Sequence, residues 1–277
     1  MRRLIILLLS ILIAASLLPS PIGAQNSCKQ LNLVKRGGKL ERDWNFLRRV
    51  GKGVETGRVT ITWFGHSYFR FTSSGGTQVI TDPFGFMGYP IPTVSPHIAT
   101  IGREHPNHNS ISLVKGNPLV LRGLARDGTE WNPINVAIMD AMIYSIPIYH
   151  RGWLDQIKGA AFAIHLNGLC IVHLGDLGDE LNESQIAMIG EVDILLIPIG
   201  GLYTMDPETA KKVLRQLNPK IAIPMHYRND EGLLQRFLRS EARVKRLQYD
   251  TVVVEKSLLP VTTEIVVLQH KSRRVID

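Results

Sequence analysis

The chain contains little cysteine, and this scarcity limits the kinds of site that it can build. Only two cysteines occur among its 277 residues, which excludes a disulfide scaffold and a cysteine-rich zinc site. Cys170 lies in a strongly apolar run. It is therefore predicted to be a buried thiol, although export would permit a disulfide.

Two further absences concern nucleic acids and nucleotides. The net charge is +8, yet no basic helix is interleaved with aromatic residues, so no nucleic-acid surface is predicted. Gly200-Gly201 is not followed by the Lys-Ser/Thr pair of a phosphate-binding loop. The mild basic excess instead suits small anionic ligands.

The first 24 residues have the layout of a secretory signal peptide. A basic start, Met1-Arg2-Arg3, precedes an apolar run over residues 4–18, and Gly23-Ala24 offers a cleavage site. The run is shorter than the roughly 20 residues that span a bilayer. We therefore expect cleavage after Ala24 and a secreted or periplasmic protein without a stable membrane anchor.

The remaining chain predicts a basic N-terminal extension over residues 25–57, one domain over 58–270 and a basic tail over 271–277. Helices are predicted at 40–50, at 231–240 and at 207–217, the last with Asp206 as N-cap and Pro207 in its first turn. Asn167-Gly168 predicts a hairpin turn. Predicted strands occupy residues 59–64, 68–71, 78–81, 136–148, 160–165, 169–173, 193–199, 220–225, 251–254 and 264–268.

Such a mixture of antiparallel runs and strand–helix–strand units predicts an α/β protein with two sheets and helices outside them. Several polar side chains follow these strands or apolar runs directly, and strand ends that converge on one rim are where a sheet protein builds a site. Imidazole combined with carboxylate is the ligand set of zinc. Any one histidine alone would more often be structural, but the set predicts a metal site: His105, His108, His150, Asp176 and His226.

Five short motifs carry these residues and their neighbours. They are Trp63-Phe64-Gly65-His66-Ser67, Thr81-Asp82-Pro83-Phe84, Arg103-Glu104-His105-Pro106-Asn107-His108, His173-Leu174-Gly175-Asp176 and Ile223-Pro224-Met225-His226-Tyr227. In order and spacing they resemble the motifs of metallo-β-lactamase-fold hydrolases, most closely the branch of ascorbate-6-phosphate lactonase-like proteins. The resemblance covers residues 59–268. It implies a four-layer αββα sandwich with the site at one edge of the sheets.

The metal loop departs from the family pattern. In the family, a His-x-His-x-Asp-His loop supplies most ligands of a two-metal centre; here Arg103 replaces the first histidine and Asn107 replaces the aspartate. By resemblance, one metal position would keep His105, His150 and Asp176. The other would keep His108, Asp176 and His226, with Asp176 bridging the two.

The two replacements make the site about two charge units more positive, and at close range like charges repel by several kcal/mol. Losing one divalent ion would offset this change, and Arg103 cannot be deprotonated to make room for a metal. We therefore expect a single metal ion held by His108, Asp176 and His226, with Arg103 in the second position. Zinc is favoured; two ions, manganese and iron stay open.

Two functions remain open at this point. The favoured one is metal-dependent hydrolysis of a small, anionic, ester-like substrate such as a lactone or phosphodiester, with Asp176, Asn107 and Arg103 as the catalytic group. The alternative is a non-catalytic homologue that binds a ligand. It arises because Asn107 is a weaker ligand than aspartate, and in related enzymes that aspartate also positions the attacking water. The oligomeric state is left open.

Three neighbouring residues are expected to play supporting roles. His66 matches the family's position beside the ligands, although a plain turn residue explains it equally well. Asp82 is predicted to orient a ligand through a hydrogen bond. His173 is predicted to be structural.

Overall fold

A computed structural model describes residues 57–152 and 155–270, together with two short strands nearer the N-terminus. These strands, β1 (Leu33–Arg36) and β2 (Lys39–Arg42), pair antiparallel with each other. The helix predicted at 40–50 is therefore wrong for residues 40–42, which pair with β1. Its remainder, the predicted signal peptide and the basic tail lie outside the described residues.

A six-stranded sheet forms one half of the molecule, in the order β17-β3-β4-β5-β6-β7. Its first three strands in the chain are antiparallel neighbours, whereas β5, β6 and β7 run parallel. The bounds are β3 (Arg58–Gly65), β4 (Tyr68–Ser73), β5 (Gln78–Thr81), β6 (Ile98–Ile101), β7 (Leu119–Arg122) and β17 (Thr251–Glu255).

An eight-stranded sheet forms the other half, in the order β10-β11-β12-β13-β14-β15-β18-β16. A small ribbon of β8 (Leu124–Ala125) and β9 (Glu130–Trp131) accompanies the two sheets. The bounds of the large sheet are β10 (Asn135–Ile138), β11 (Ala141–Arg151), β12 (Gln156–Leu166), β13 (Leu169–His173), β14 (Ile194–Pro198), β15 (Ile221–Met225), β16 (Val244–Arg246) and β18 (Glu264–Val267).

The two sheets bury a common core. In the six-stranded sheet, alternate side chains such as Phe69 and Phe71 point into a cluster that also contains Phe162 and Ile171 of the eight-stranded sheet. Each fully buried side chain of this size stabilises the fold by roughly 1.5–3 kcal/mol. Side chains on the other face of this sheet form a second, smaller cluster: Tyr68, Ile80 and Ala99 with the loop residues Phe84, Tyr89 and Val94.

The described helices are α1 (Glu183–Ile189), α2 (Pro207–Leu217) and α3 (Glu231–Leu238). Helix α1 lies against β11, α2 against β14, and α3 against α2. The outer face of the six-stranded sheet is covered, among the described residues, by the segment that carries the second cluster. The arrangement agrees with the predicted metallo-β-lactamase-type sandwich.

The sequence predictions for α2 are confirmed in detail. The side chain of Asp206 accepts a hydrogen bond of 2.9 Å from the backbone N–H of Thr209, and Pro207 occupies the first turn. The buried face of the helix consists of Ala210, Val213, Leu214 and Leu217. Asn167-Gly168 also forms the predicted hairpin between β12 and β13.

Two predictions about the eight-stranded sheet are wrong. Residues 136–148 form two strands rather than one, because the chain reverses after Ile138, where Met139 takes a φ of 53°. Cys170 is buried, as expected, but it is disulfide-bonded rather than a free thiol. Its apolar neighbours in the sequence predict burial, but they do not show whether another cysteine comes within bonding distance in the fold.

Candidate metal centre

The candidate site lies where five strands end at one edge of the two sheets. His66 follows β3, Asp82 follows β5, and His226 follows β15 directly. At these three positions the backbone turns into the left-handed region, with φ of 50°, 42° and 61°. Such conformations cost about 1–3 kcal/mol each in non-glycine residues and persist where the surrounding structure holds them. The other two strand ends, β6 and β13, lead to the loop at 103–108 and to Asp176.

His108 is at the centre of the site and is fully buried. Its Nδ1 donates to Asp82 Oδ2 over 3.1 Å, so its Nε2 faces the interior of the site. That Nε2 lies 3.2 Å from Asp176 Oδ2 and 3.2 Å from His66 Nε2. Burial alone would lower the pKa of His108, but the carboxylates of Asp176 and Asp82 outweigh it and raise the pKa to about 9. The hydrogen bond predicted for Asp82 is therefore present.

His66 and His226 complete a group of three imidazoles with His108. One ring nitrogen of each lies within 4.8 Å of the others, which is close enough for a common metal ion. His226 Nε2 is also 3.3 Å from Asp176 Oδ1. Burial, together with the charges of His226 and His108, holds the pKa of His66 well below its usual range, so His66 is neutral and can offer a lone pair.

His66 is the residue whose place the sequence predicted least well. Its position in a Gly-His-Ser turn is explained by a turn role as easily as by a site role. The signal that would have identified it is the one that identified His226, namely a histidine directly after a buried strand. In the structure the two rings lie 3.9 Å apart between centroids.

Arg103 forms an ion pair with the aspartate of the site. Its Nη1 donates to Asp176 Oδ2 over 2.8 Å, and its guanidinium carbon lies 5.9 Å from the centre of the Tyr203 ring. Burial would raise the pKa of Asp176, but the neighbouring His108 and His226 hold it well below the usual range. Asp176 is therefore a buried carboxylate surrounded by three cationic or hydrogen-bonding side chains.

His150 is close to the same charges but makes a different set of contacts. Its Nδ1 donates to the carbonyl of Arg151 over 3.1 Å, which leaves the lone pair on Nε2. That Nε2 is buried and has no hydrogen-bond partner among the described residues. Burial and the charge of Arg103 lower the pKa of His150 to about 4, so the imidazole is neutral.

His105 and Asn107 lie on the outer side of the loop. His105 Nδ1 accepts a hydrogen bond of 3.2 Å from the backbone N–H of Asn107. Burial and the charge of Arg103 lower the pKa of His105, although part of its side chain is exposed. The structure thus brings His108, Asp176, His226 and Arg103 into direct contact. It places His105 and His150 within reach of the charge on Arg103.

Two glycines allow the site loops to approach each other closely. A Cβ on Gly102 would lie 2.5 Å from the carbonyl oxygen of Ala160, and one on Gly200 would lie 2.2 Å from that of His226. Neither backbone contact can be relieved by a side-chain rotation. Glycine at both positions is therefore needed to bring the metal loop and the loop after β14 against the site.

His173 is buried outside the ligand group. Its Nε2 donates to the carbonyl of Ser67 over 2.9 Å. Burial lowers its pKa. This contact connects β13 to the turn after His66, which agrees with the predicted structural role.

A cavity of about 190 Å³ opens beside His226. It is lined by Gly200, Leu202, Tyr203, His226, Tyr227, Arg228, Asp230 and Leu233. Another cavity, of about 460 Å³, lies on the other side of Tyr227 against Trp63 and His270 and contains none of the candidate ligands. Of these two cavities, the smaller one is thus the one that adjoins a candidate ligand.

The donor set fits a zinc-type ion. Three imidazoles and one carboxylate are near one another, and His108 is oriented by a carboxylate as metal-bound histidines usually are. Asp176 Oδ1 and His150 Nε2 are buried atoms without a hydrogen bond among the described residues. The individual ligand assignments stay predictions.

Comparison with known proteins identifies the family. A model of the β-lactamase superfamily domain matches residues 60–226, more than half of the chain. The chain belongs to the metallo-β-lactamase superfamily. A UPF0173 metal-dependent hydrolase from Archaeoglobus fulgidus is 28% identical over 226 residues, which cover 71% of this chain and 96% of the relative.

Solved structures of this superfamily agree. A proposed Zn-dependent hydrolase of the metallo-β-lactamase superfamily from Thermotoga maritima superposes with a TM-score of 0.62 at 32% identity, covering 77% of this chain and all of the other. A proposed metal-dependent hydrolase from Parabacteroides distasonis, with a TM-score of 0.54 and 18% identity over 77% of this chain and 94% of the other, supports the fold alone. The finer resemblance to ascorbate-6-phosphate lactonases stays a prediction.

Proposed function

We propose that this member of the superfamily is an exported metal-dependent hydrolase of small, anionic, ester-like substrates, with one metal ion instead of two. His108, Asp176 and His226 would hold the ion, and His66 is close enough to take part. The observation that carries the proposal is the 2.8 Å ion pair between Arg103 Nη1 and Asp176 Oδ2. In the family, that aspartate bridges two metals.

Charge balance supports a single ion. A guanidinium that already binds one oxygen of Asp176 places a permanent positive charge where a second divalent cation would sit. Two such charges a few ångströms apart repel strongly in a partly buried site. The other oxygen of Asp176 faces His226 and stays available.

The remaining side chains have roles that follow from their protonation and position. A divalent cation, when bound, supplies Lewis acidity that activates water near neutral pH and polarises the scissile bond. Arg103 stabilises negative charge that develops on the substrate. His105 and His150 are neutral and either hydrogen-bond the substrate or hold a second ion where one binds. Asn107, in place of aspartate, contributes an uncharged polar group.

A second candidate function is supported by the same ion pair. Arg103 and His108 both lie against Asp176, and His108 also binds Asp82. In this network the protein's own cations bind Oδ2 of both carboxylates. A chain that balances its buried charges in this way could serve as a binding protein without catalysis, with Arg103 as an anion-binding group.

Metal content per chain tests the proposal. Protein purified with zinc and manganese in the medium is expected to contain about one ion by elemental analysis. The double variant Arg103→His, Asn107→Asp restores the family motif and should raise the content to about two. Two ions in the unaltered protein would refute the single-metal site, and none in a folded protein would favour the binding function.

A hydrolysis assay of the unaltered protein and the double variant distinguishes a site adapted to one metal from a site that has lost its function. Activity that falls in the double variant indicates a site adapted to one metal. A large gain in both metal affinity and activity indicates that the natural site is degenerate. Lactones and phosphodiesters with an anionic group are the first substrates to assay.

Export is supported by the signal-peptide layout of residues 1–24 and by the disulfide at Cys170, since disulfides persist in oxidising compartments. Among the described residues, no helix has the length and hydrophobicity to cross a bilayer. The intact mass of protein recovered from the periplasm or medium should correspond to a chain that begins at Gln25. A full-length chain retained in the cytoplasm would contradict the proposal.

A further inference from the structure

The cavity beside His226 combines one free cation with an apolar wall. Arg228, two residues after His226, lines this cavity of about 190 Å³ together with Leu202, Tyr203 and Leu233. It also lines a neighbouring cavity of about 400 Å³ beside Phe86. Its side chain is therefore accessible from both spaces.

Arg228 has no ion-pair partner among the described residues. The one carboxylate that lines the same cavity belongs to Asp230, and this side chain is already engaged. Asp230 Oδ1 accepts a hydrogen bond of 3.1 Å from the backbone N–H of Leu233 and caps α3. Among the described residues Asp230 forms no ion pair with Arg228, so the guanidinium donors remain available to a ligand.

The backbone of this turn is held in an unusual conformation. Arg228 and Asn229 take φ of 47° and 58°, and His226, two residues before Arg228, is also left-handed. Tyr227, which lies between His226 and Arg228, is buried, and its ring stacks on Trp63 with 5.7 Å between centroids. Because Tyr227 anchors the turn, Arg228 is presented toward the cavity from a fixed base.

The cavity adjoins the metal centre through His226 and Tyr203. Tyr203 lines the cavity, and its ring lies 5.9 Å from the guanidinium carbon of Arg103. Leu202 is 64% exposed, so the apolar wall is open to solvent and has nothing in the described structure to cover it. The lining of the cavity therefore includes both Tyr203, which adjoins the ion-paired Arg103, and the unpaired Arg228.

We propose that this cavity is the substrate subsite, in which Arg228 binds a carboxylate or phosphate group remote from the scissile bond and Leu202, Tyr203 and Leu233 pack against the apolar part between them. The inference rests on the proposed hydrolase function and makes it more specific. The substrate is a small ester or lactone that carries a second, anionic group. Arg103 then contacts the reacting group of the substrate, and Arg228 binds the remote anionic group.

Binding of an inert probe tests the subsite without depending on catalysis. Phenylphosphonate contains an anion and an apolar ring and has no bond that the enzyme would hydrolyse. Calorimetric titration of the full chain should show binding, and Arg228→Gln should weaken it by roughly tenfold because a charged hydrogen bond is lost. The matched control is Arg215→Gln, on the exposed side of α2, which makes the same charge change and should alter affinity by less than about twofold.

The apolar wall is tested with a second probe. Phenylphosphonate should bind roughly tenfold more tightly than methylphosphonate because part of the ring is removed from water. Leu202→Ser should reduce the difference in affinity between the two probes. Equal affinity for the two probes would overturn the apolar part of the proposal.

Four results would overturn the role of Arg228. They are absence of phenylphosphonate binding to the unaltered protein, unchanged affinity in Arg228→Gln, an equal loss in Arg215→Gln, and a loss confined to Arg103→Gln. Failure of the hydrolase function is seen separately, as missing metal or missing turnover. If the protein binds the probe through Arg228 but hydrolyses nothing, the proposed subsite stands and the proposed hydrolase function is wrong.

Discussion

Asp82 shows how one side chain can serve the site from outside the ligand group. Its Oδ1 accepts from the backbone N–H of Gly102 over 2.7 Å, and its Oδ2 accepts from His108 Nδ1 over 3.1 Å. The first contact holds the start of the metal loop. The second keeps a proton on Nδ1, so that Nε2, the nitrogen that faces Asp176, is the one that would bind a metal ion.

Asp82→Asn should therefore separate these two contacts. The amide keeps an oxygen for Gly102 but presents a donor to His108 Nδ1, so metal affinity should fall about 10- to 100-fold. Competition with a chelator measures the affinity. Asp127→Asn, at an exposed turn position, is the matched control. Equal metal affinity in the two variants would show that Asp82 acts only through Gly102.

At the scale of elements, strand ends and tight loops position the ligands. The strands β13, β14 and β15 are parallel neighbours, so their carboxyl ends meet at one edge, and Asp176 and His226 follow there. The loop after β14 passes directly over His226 at Gly200. The geometry of the metal centre therefore depends on a contact between two loops as well as on the ligands themselves.

Gly200→Ala should disturb that contact. The added Cβ would lie 2.2 Å from the carbonyl oxygen of His226 and 3.0 Å from its Nδ1. We expect His226 to shift and metal affinity to fall at least about tenfold, since sub-ångström placement governs such sites. Gly159→Ala, whose Cβ would meet Ile148 at an ordinary 3.4 Å, is the control. An unaltered metal affinity in Gly200→Ala would contradict the role given to this loop.

At the scale of the whole molecule, burial of neutral histidines makes stability depend on pH. His165 of β12 is nearly buried, and burial lowers its pKa to about 4 from the ordinary 6.5. Between these values the unfolded chain binds more protons than the folded one. The free energy of unfolding should therefore fall as the pH drops from 6.5 toward 4.

Urea unfolding at pH 7 and pH 5 measures this effect. His165 should account for about 2 kcal/mol of the stability lost between the two values. His165→Gln should reduce the loss by that amount, and His97→Gln, at an exposed position, should leave it unchanged. An identical pH dependence in all three proteins would mean that His165 takes up its proton without opening the fold.

The architecture follows largely from local sequence signals. The cap at Asp206 and the apolar spacing after it are enough to place α2, and short runs rich in β-forming residues are enough to place β3, β4 and β5. Helix α1 was missed, although Asn182 and Gln185 form a reciprocal capping box. The helix is seven residues long and buries only Ile189, so it has little apolar periodicity to detect.

By itself, the sequence determined the family, the sandwich and the two altered motif positions, because each depends on residue types at short spacings. Only the tertiary structure decided that Arg103 binds Asp176, that His66 joins the imidazole group and that Arg228 lines a cavity beside His226. These contacts join residues that are distant in the chain. Their distances depend on how loops from two sheets meet at one edge, and no local pattern encodes that meeting.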